Sequence, residues 1–504
     1  MKEGLMKNTS ITAIAVAAGM VLSFGSAFAA DLGGNCCADL EERVAELEAT
    51  AARKGTRKTS LEVWGHVNKL VIAWDDGINH NTALGIDNVN HSSRFGFRGN
   101  AKVRSDLTAG YSMVVEVASG GRSTNLSQFR DKNAVAGTTA TSPPSSFGSN
   151  DQAITMRESN WWLESTRLGR MTVGRFIDGA GPQGTIDLAG IGLTVASASM
   201  SLIGTGLNFR TNQPVGAPAS AGSAAAGTAP STSFSNYNIG NTTDSAGEYS
   251  TRMNGVQWAS PTWAGFQVTA AYAGSIDKDN IASNAAGTAT QGYGPLWAIG
   301  VKYAGEFSGV RVAAAYGHED AVDANFTSMV STNGTSIRPH STNDGVSLSL
   351  MHVATGLFAQ GFYNEYTRGH DIFNGAGASS YSAIGATKDT AKQWQIQAGI
   401  ARNWFGIGNT ALYGEYSMTR NGYNTFGLEG ANTALYSATN GGVAYTGDNT
   451  KNRMWGLGVQ QDLDAAAMQL FAGYRNFSLS SDNCSAAGGC KDISMFIAGS
   501  KIRF

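Results

Sequence analysis

From Leu61 to the last residue the sequence repeats with a period of two, in stretches of about ten to thirteen residues. Phe266, Val268, Ala270 and Tyr272 alternate with Gln267, Thr269 and Ala271. Trp297, Ile299, Val301 and Tyr303 alternate with Ala298, Gly300 and Lys302, and Val310, Val312, Ala314 and Tyr316 with Arg311, Ala313 and Ala315. Each stretch is a strand with one apolar, often aromatic face and one small or polar face. Soluble sandwich strands also alternate, but they average about five or six residues and turn the apolar face inward. A tilted strand needs about ten residues to cross a bilayer.

Sixteen such stretches begin near residues 61, 91, 107, 153, 169, 250, 265, 293, 309, 343, 357, 391, 409, 451, 466 and 492. Their connections alternate in length. Ser105-Asp106, Pro261 to Ala264, Glu306 to Gly309 and Gly406 to Gly408 are tight turns rich in Gly, Asp, Ser or Pro. Ser119 to Gln152, Asp178 to Tyr249 and Asn421 to Thr450 are long loops. Short turns on one side and long loops on the other predict an all-β, sixteen-stranded antiparallel transmembrane β-barrel over 61–504, with both ends on the short-turn, periplasmic side. Phe504 ends the chain in phase with Phe496, Ala498 and Ile502 on the apolar face, as an interfacial aromatic would.

If the strands face lipid on one side, charges belong on the other, because a charge at the bilayer midplane costs about 2–4 kcal/mol. With Phe95 and Phe97 outward, Arg94, Arg98, Lys102 and Arg104 point into the barrel. The same phase sends Glu116, Lys302, Arg311, Glu415, Arg475, Lys501 and Arg503 to the lumen.

The N-terminus reads as an export signal over residues 1–30: Lys7, an apolar run from Ile11 to Phe24, and the small-x-small cleavage pattern Ala27-Phe28-Ala29. A membrane anchor is the alternative. Residues 31–60 form a periplasmic helical segment in which Leu40, Val44, Leu47 and Ala51 make a short seam. That seam suits either a trimeric stalk or a solvated or wall-packed helix. Cys484 and Cys490 are close enough in sequence to form a disulfide across an external loop. The role of Cys36 and Cys37 is open; no His joins either pair at zinc spacing, so no metal is expected.

A formal net charge of −2 leaves no basic stripe for nucleic acid. None of the seven His lies in a nucleophile or metal motif, so the chain is not expected to be an enzyme, nor to need a cofactor.

The stretch Ser93-Arg94-Phe95-Gly96-Phe97-Arg98-Gly99, the triplet Val173-Gly174-Arg175 and the region Arg252 to Tyr272, in this order, resemble the Gram-negative general porins, and the helix seam resembles that of porins of alphaproteobacterial type. The resemblance implies a homotrimer in outer-membrane lipid, each barrel a water-filled channel for passive diffusion of small hydrophilic solutes and ions. It also implies that the third external loop, about 178–249, folds into the lumen as a constriction. Asp178 and Asp187 would then face wall arginines Arg94, Arg98 and Arg252, with Arg175 at the loop's root and Phe504 as the C-terminal assembly signal. Some of these arginines could equally serve only to pair with loop carboxylates. A barrel-based adhesin or receptor, or an envelope-tethering protein, is the alternative function. Ion selectivity stays open.

Overall fold

The computed structural model of the protein describes residues 59–118, 121–123, 126, 128, 153–180, 186–191, 203–211, 234–243, 252–273, 293–323, 335–374, 382–422, 450–481, 484–485 and 488–504. The expected leader, the helical seam and Cys36 and Cys37 lie outside these residues.

In chain order the strands are β1 (Glu62–Asp75), β2 (His80–Asp87), β3 (Arg94–Arg104), β4 (Leu107–Ala118), β5 (Ala153–Ser165), β6 (Gly169–Phe176), β7 (Asn208–Arg210), β8 (Phe234–Asn238), β9 (Met253–Ala259) and β10 (Phe266–Ala273). They continue as β11 (Tyr293–Phe307), β12 (Val310–Asp323), β13 (Thr335–His352), β14 (Leu357–Asn374), β15 (Ser382–Arg402), β16 (Thr410–Arg420), β17 (Lys451–Leu463), β18 (Met468–Ser480) and β19 (Ile493–Arg503). A short helix, α1 (Ile239–Thr243), follows β8.

Sixteen strands close the barrel. β1 pairs with β3 at its start, the ladder runs through β4, β5, β6 and β9 to β19, and β19 returns to β1 from His66↔Arg503 to Asp75↔Ser494. The seventeenth strand of the sheet, β2, pairs with the outer half of β1 and completes the course that β3 begins. Carrying the registers once around displaces the return to β1 by about 20 residues, which gives a strand tilt of about 40° and a radius of about 16 Å. Sixteen strands at that tilt leave an aqueous channel.

Fourteen of the sixteen expected starts fall within three residues of the observed ones, while β13 and β15 start eight and nine residues earlier. Their first residues pair beyond the level of the apolar band, where no lipid demands an apolar face and the period-two signal fades. β2 is a strand beyond the sixteen expected, set off from β1 by the tight turn at Asp76 to Asn79.

At the short-turn end, Ala264-Gly265 and Ser308-Gly309 both hold positive φ at the two central positions, so that a two-residue turn follows the strand twist. Outward faces are apolar: Val256, Ile299, Val301, Leu348, Ile396 and Leu457 are exposed. Nearer the loop end, Tyr272, Trp297, Tyr316, Tyr363, Trp455 and Tyr474 form an outer aromatic belt from β10 to β18. Over β5, β6 and β9 a single register row on this face carries Ser159, Arg175 and Asn254 instead.

The inward face departs from the expected polar pattern most on three strands, with Phe358 of β14, Tyr413 of β16 and Met454 of β17 joining the same cluster. Leu70, Ile72 and Trp74 of β1, Phe477 and Leu479 of β18, and Ile493, Met495 and Ile497 of β19 all point in and are buried. They pack on Ile191, Ile203, Leu207, Phe209 and Ile239. These five residues belong to the third external loop, so the main apolar core lies inside the barrel.

Candidate functional site

The loop leaves β6 at Phe176 and stays against the inner wall. Asp178 caps its own turn, accepting from the Ala180 N–H at 2.8 Å, and the Gly179 N–H donates to inward Gln257 at 2.7 Å. The Ala180 carbonyl lies so close to Gly300 of β11 that a Cβ there would stand 2.4 Å from its oxygen, which explains a glycine in mid-strand. Asp178 also lies within electrostatic reach of Glu319 of β12 and Lys302 of β11.

Further on, Asp187 accepts from the N–H groups of Ala189 and Gly190 at 3.0 and 2.8 Å. This turn hangs between opposite strands: the Leu188 N–H donates to Ser349 of β13 at 3.1 Å, and Gln460 of β17 donates to the Gly190 carbonyl at 3.3 Å. The Gly204 N–H then donates to the Ser123 carbonyl at 2.8 Å, and Arg210 forms a buried ion pair with Asp76 at 2.8 Å. Cys484 and Cys490 are disulfide-bonded, and their loop lies on the same segment: Cys490 bridges Thr211 and the Lys491 N–H donates to the Arg210 carbonyl at 2.8 Å. Finally, Thr419 of β16 donates to the Thr243 carbonyl and Asn452 of β17 to the Thr242 hydroxyl. One loop therefore touches β1, β11, β13, β16, β17 and β19 from within.

A ladder of buried side chains supports its middle. Arg475 of β18 donates to Glu415 of β16 at 2.6 Å, and Gln395 and Gln397 of β15 donate to the same carboxylate at 3.1 and 3.2 Å. Gln360 of β14 donates to Gln397 at 2.8 Å, and Ser349 donates to Gln360 at 3.2 Å. Ser349 in turn takes the Leu188 N–H. The strand period of two puts all of these on the lumen face, and every polar atom of the run that could be left bare is matched along it.

Around the lumen, β19, β1 and β3 carry the basic groups. Arg503, His66 and Arg94 are successive register partners, and Lys501 lies two residues along β19 on the same face. Arg94 is within electrostatic reach of Arg252 and Glu158. Glu116 of β4 is shared by Arg122, at 3.1 Å, and Arg157, whose contact is closer still. Arg157 is the extra residue of a bulge in β5 at Val114/Val115, which is why the period-two reading did not find it.

Other expected positions lie elsewhere. Arg98 faces inward but is held two-pronged by Glu62 at 2.8 and 2.5 Å near the short-turn end, away from the loop. Arg311 likewise pairs with Glu306 at 3.2 Å. Lys102 is exposed next to the turn, and the register slip between Lys102 and Arg104 moves Arg104 out of the lumen phase and opposite Leu107. There it bonds Asp106 at 2.6 Å and holds that carboxyl below the usual carboxylate range. Arg175 stands opposite Ser159 and Asn254, in phase with outward Val173 and Val256. Glu415 and Arg475 are buried together and neutralise one another inside the ladder.

No curated protein matches the sequence. Solved structures similar in fold include OmpF of Salmonella typhi in complex with daunomycin, 15% identical with a TM-score of 0.45, over 90% of this chain and 99% of that one. The outer membrane channel DcaP of Acinetobacter baumannii is 10% identical with a TM-score of 0.45, over 90% and 100%. OmpT of Vibrio cholerae, an outer membrane protein folded in vitro, is 11% identical with a TM-score of 0.44, over 89% and 99%. A family model described as Gram-negative porin matches residues 12–482, nearly the whole length of a chain whose sixteen strands close with a loop inside them. The chain belongs to the Gram-negative porin family and is an outer-membrane porin.

Proposed function

We propose that the protein is a passive, non-enzymatic diffusion channel for small hydrophilic solutes and ions, narrowed by the 178–249 loop and assembled as a homotrimer. The observation that carries the reading is the set of hydrogen bonds from Gly179, Leu188 and Gly190 to inward side chains of three separate strands. A loop so held narrows the bore without closing a barrel about 16 Å in radius. The constriction residues are Asp178 and Asp187 on the loop and Arg94 and Arg252 on the wall. Acids on the loop and cations on the wall set a field across the path, which favours solutes that can orient a dipole or charge in it. The trimer is supported by the outer surface, where Ser159, Arg175 and Asn254 interrupt the aromatic belt. Polar side chains at that depth are costly against lipid and cheap against another protomer.

Reconstitution into planar bilayers tests the channel: stepwise conductance is expected, and its absence would refute the reading. Unheated gel electrophoresis with cross-linking tests the trimer, with a band at three times the chain mass expected.

A further inference from the structure

The second external loop, Ser119 to Gln152, is joined both to the wall and to the constriction loop. Among the described residues β2 pairs with β1 alone, which leaves its other edge free for a different segment. The second loop takes that edge. The Asp87 N–H donates to the Gly121 carbonyl and the Ser123 N–H to the Asp87 carbonyl, both at 2.9 Å, in a parallel bridge. The Val89 N–H donates to the Ser123 hydroxyl at 3.0 Å, and Arg122 reaches Glu116 of β4 at 3.1 Å. The loop is thus footed on the wall just where β2 gives way to β3.

From this footing the same loop passes to the constriction loop. The Ser123 carbonyl accepts from the Gly204 N–H at 2.8 Å, and Leu126 lies in the main apolar cluster with Leu207 and Phe209. Gln128 then meets Asn208, the first residue of β7, with two hydrogen bonds: its Nε2 donates to the Asn208 carbonyl at 2.6 Å, and its Oε1 accepts from the Asn208 N–H at 2.9 Å. The preceding carbonyl, that of Leu207, accepts from Ile239 just beyond β8, and Asn208 stands opposite Asn238. Asn208 therefore turns its own N–H and C=O away from β8, to the open edge of the two-stranded ribbon. Gln128 occupies that edge as one peptide unit of a third strand would, because a side-chain amide carries both a donor and an acceptor. It is 5% exposed, so water cannot replace either bond. Arg210 fixes the far end of β7 on Asp76, and Gln128 fixes its start.

We propose that Gln128 is a positioning residue for permeation: through it the second external loop braces the constriction loop on the wall and keeps the path open to the largest solutes that pass. This rests on the channel reading above. The brace is continuous, from β2 through Gly121, Ser123 and Gln128 to β7. A ribbon braced on the inner wall can be displaced only into the bore, so its release narrows the path.

The test compares the full-length wild type with three variants, in planar bilayers and in the swelling of protein-loaded vesicles. One net hydrogen bond shifts the balance between seated and displaced loop about fivefold. Gln128→Leu loses two, and should raise the ratio of time in substates to time at full conductance about 25-fold. Ser123→Ala loses the bond from Val89 at the wall end, and should raise it about fivefold. Gln128→Glu keeps the size of the side chain but sets an oxygen against the Asn208 carbonyl, and should raise it at least about fivefold at neutral pH. In the swelling assay raffinose should slow relative to arabinose in all three variants. An unchanged substate ratio in both Gln128 variants, or a raffinose-to-arabinose ratio at or above that of the wild type, would overturn the proposal while leaving the channel intact. Absence of any conductance in the wild type would instead overturn the channel reading, and this one with it. Should Gln128→Leu fail the heat-shift test of a folded barrel, Gln128→Glu and Ser123→Ala decide.

Discussion

Replacing Glu415 by Gln changes one atom and tests the ladder beneath the loop. The Glu415–Arg475 pair is almost wholly buried, with side chains 3% and 2% exposed. Gln keeps an oxygen to accept from Gln395 or Gln397, so most of the hydrogen bonding survives; what is lost is the counter-charge of Arg475. Removing one partner of a buried ion pair costs about 3–5 kcal/mol, because the other charge stays in a poor solvent. The double replacement Glu415→Gln/Arg475→Gln removes both charges and should recover most of that loss, since a neutral pair needs no counter-ion. Equilibrium urea unfolding of the refolded protein in lipid vesicles, followed by tryptophan fluorescence, measures both. Because the ladder ends on the Leu188 N–H, single-channel recordings of Glu415→Gln should also show more frequent substates than the wild type. A single variant within about 1 kcal/mol of the wild type, or a double variant less stable than the single, would refute the reasoning.

Gly65 lies under the ring of Phe504, where an added Cβ would stand 2.4 Å from a ring carbon. Gly65→Ala should cost about 1–3 kcal/mol and lower the yield of heat-modifiable barrel, and Phe504→Ala in the same chain should relieve the larger part of the clash, leaving the Arg94 carbonyl 2.9 Å from the added Cβ. Cys484→Ser/Cys490→Ser opens a small loop and should cost about 2 kcal/mol in the same urea assay, with added current noise because this loop covers Arg210 and Thr211. Glu62→Gln, by contrast, breaks an exposed pair with Arg98 and should change stability by less than about 1 kcal/mol and leave the reversal potential unchanged.

The strands could be read from the sequence because lipid imposes one rule on most outward strand residues between Val63 and Ile502, the row Ser159, Arg175 and Asn254 excepted. The turns could be read because a tight reversal needs Gly, or a short polar residue, at set positions. What lay beyond reach was the interior. Inward Leu70, Ile72 and Trp74 broke the alternation, and the run Leu70 to Trp74 is apolar on both faces, as is Met495 to Ala498. Two-faced apolar runs mark strands buried on both sides, so the covering loop had left a trace in the wall that an outward-looking reading passed over. Bulges were the second obstacle. One extra residue at Arg157 and the slip at Arg104 each change which side a charge faces, and nothing in a count by twos reveals them. Pairing was the third. Arg98 and Arg311 have their charges met by register partners Glu62 and Glu306, while Arg475 reaches Glu415 across Gly456 of the strand between them, and only the registers show which carboxylate each arginine can meet.

The position of the loop also dictates an order of assembly. Residues 186–191 and 203–211 reach the inner faces of β1, β13, β17 and β19, and the seam between β1 and β19 joins the two ends of the barrel chain. A segment enclosed by a wall must be inside before the last seam of that wall zips, or it must thread in afterwards from the open end. Seating Ile203, Leu207 and Phe209 on β19 while the sheet is still an open curl therefore makes the loop a former around which the first and last strands meet, and a chain that closed early would be shut out of its own interior.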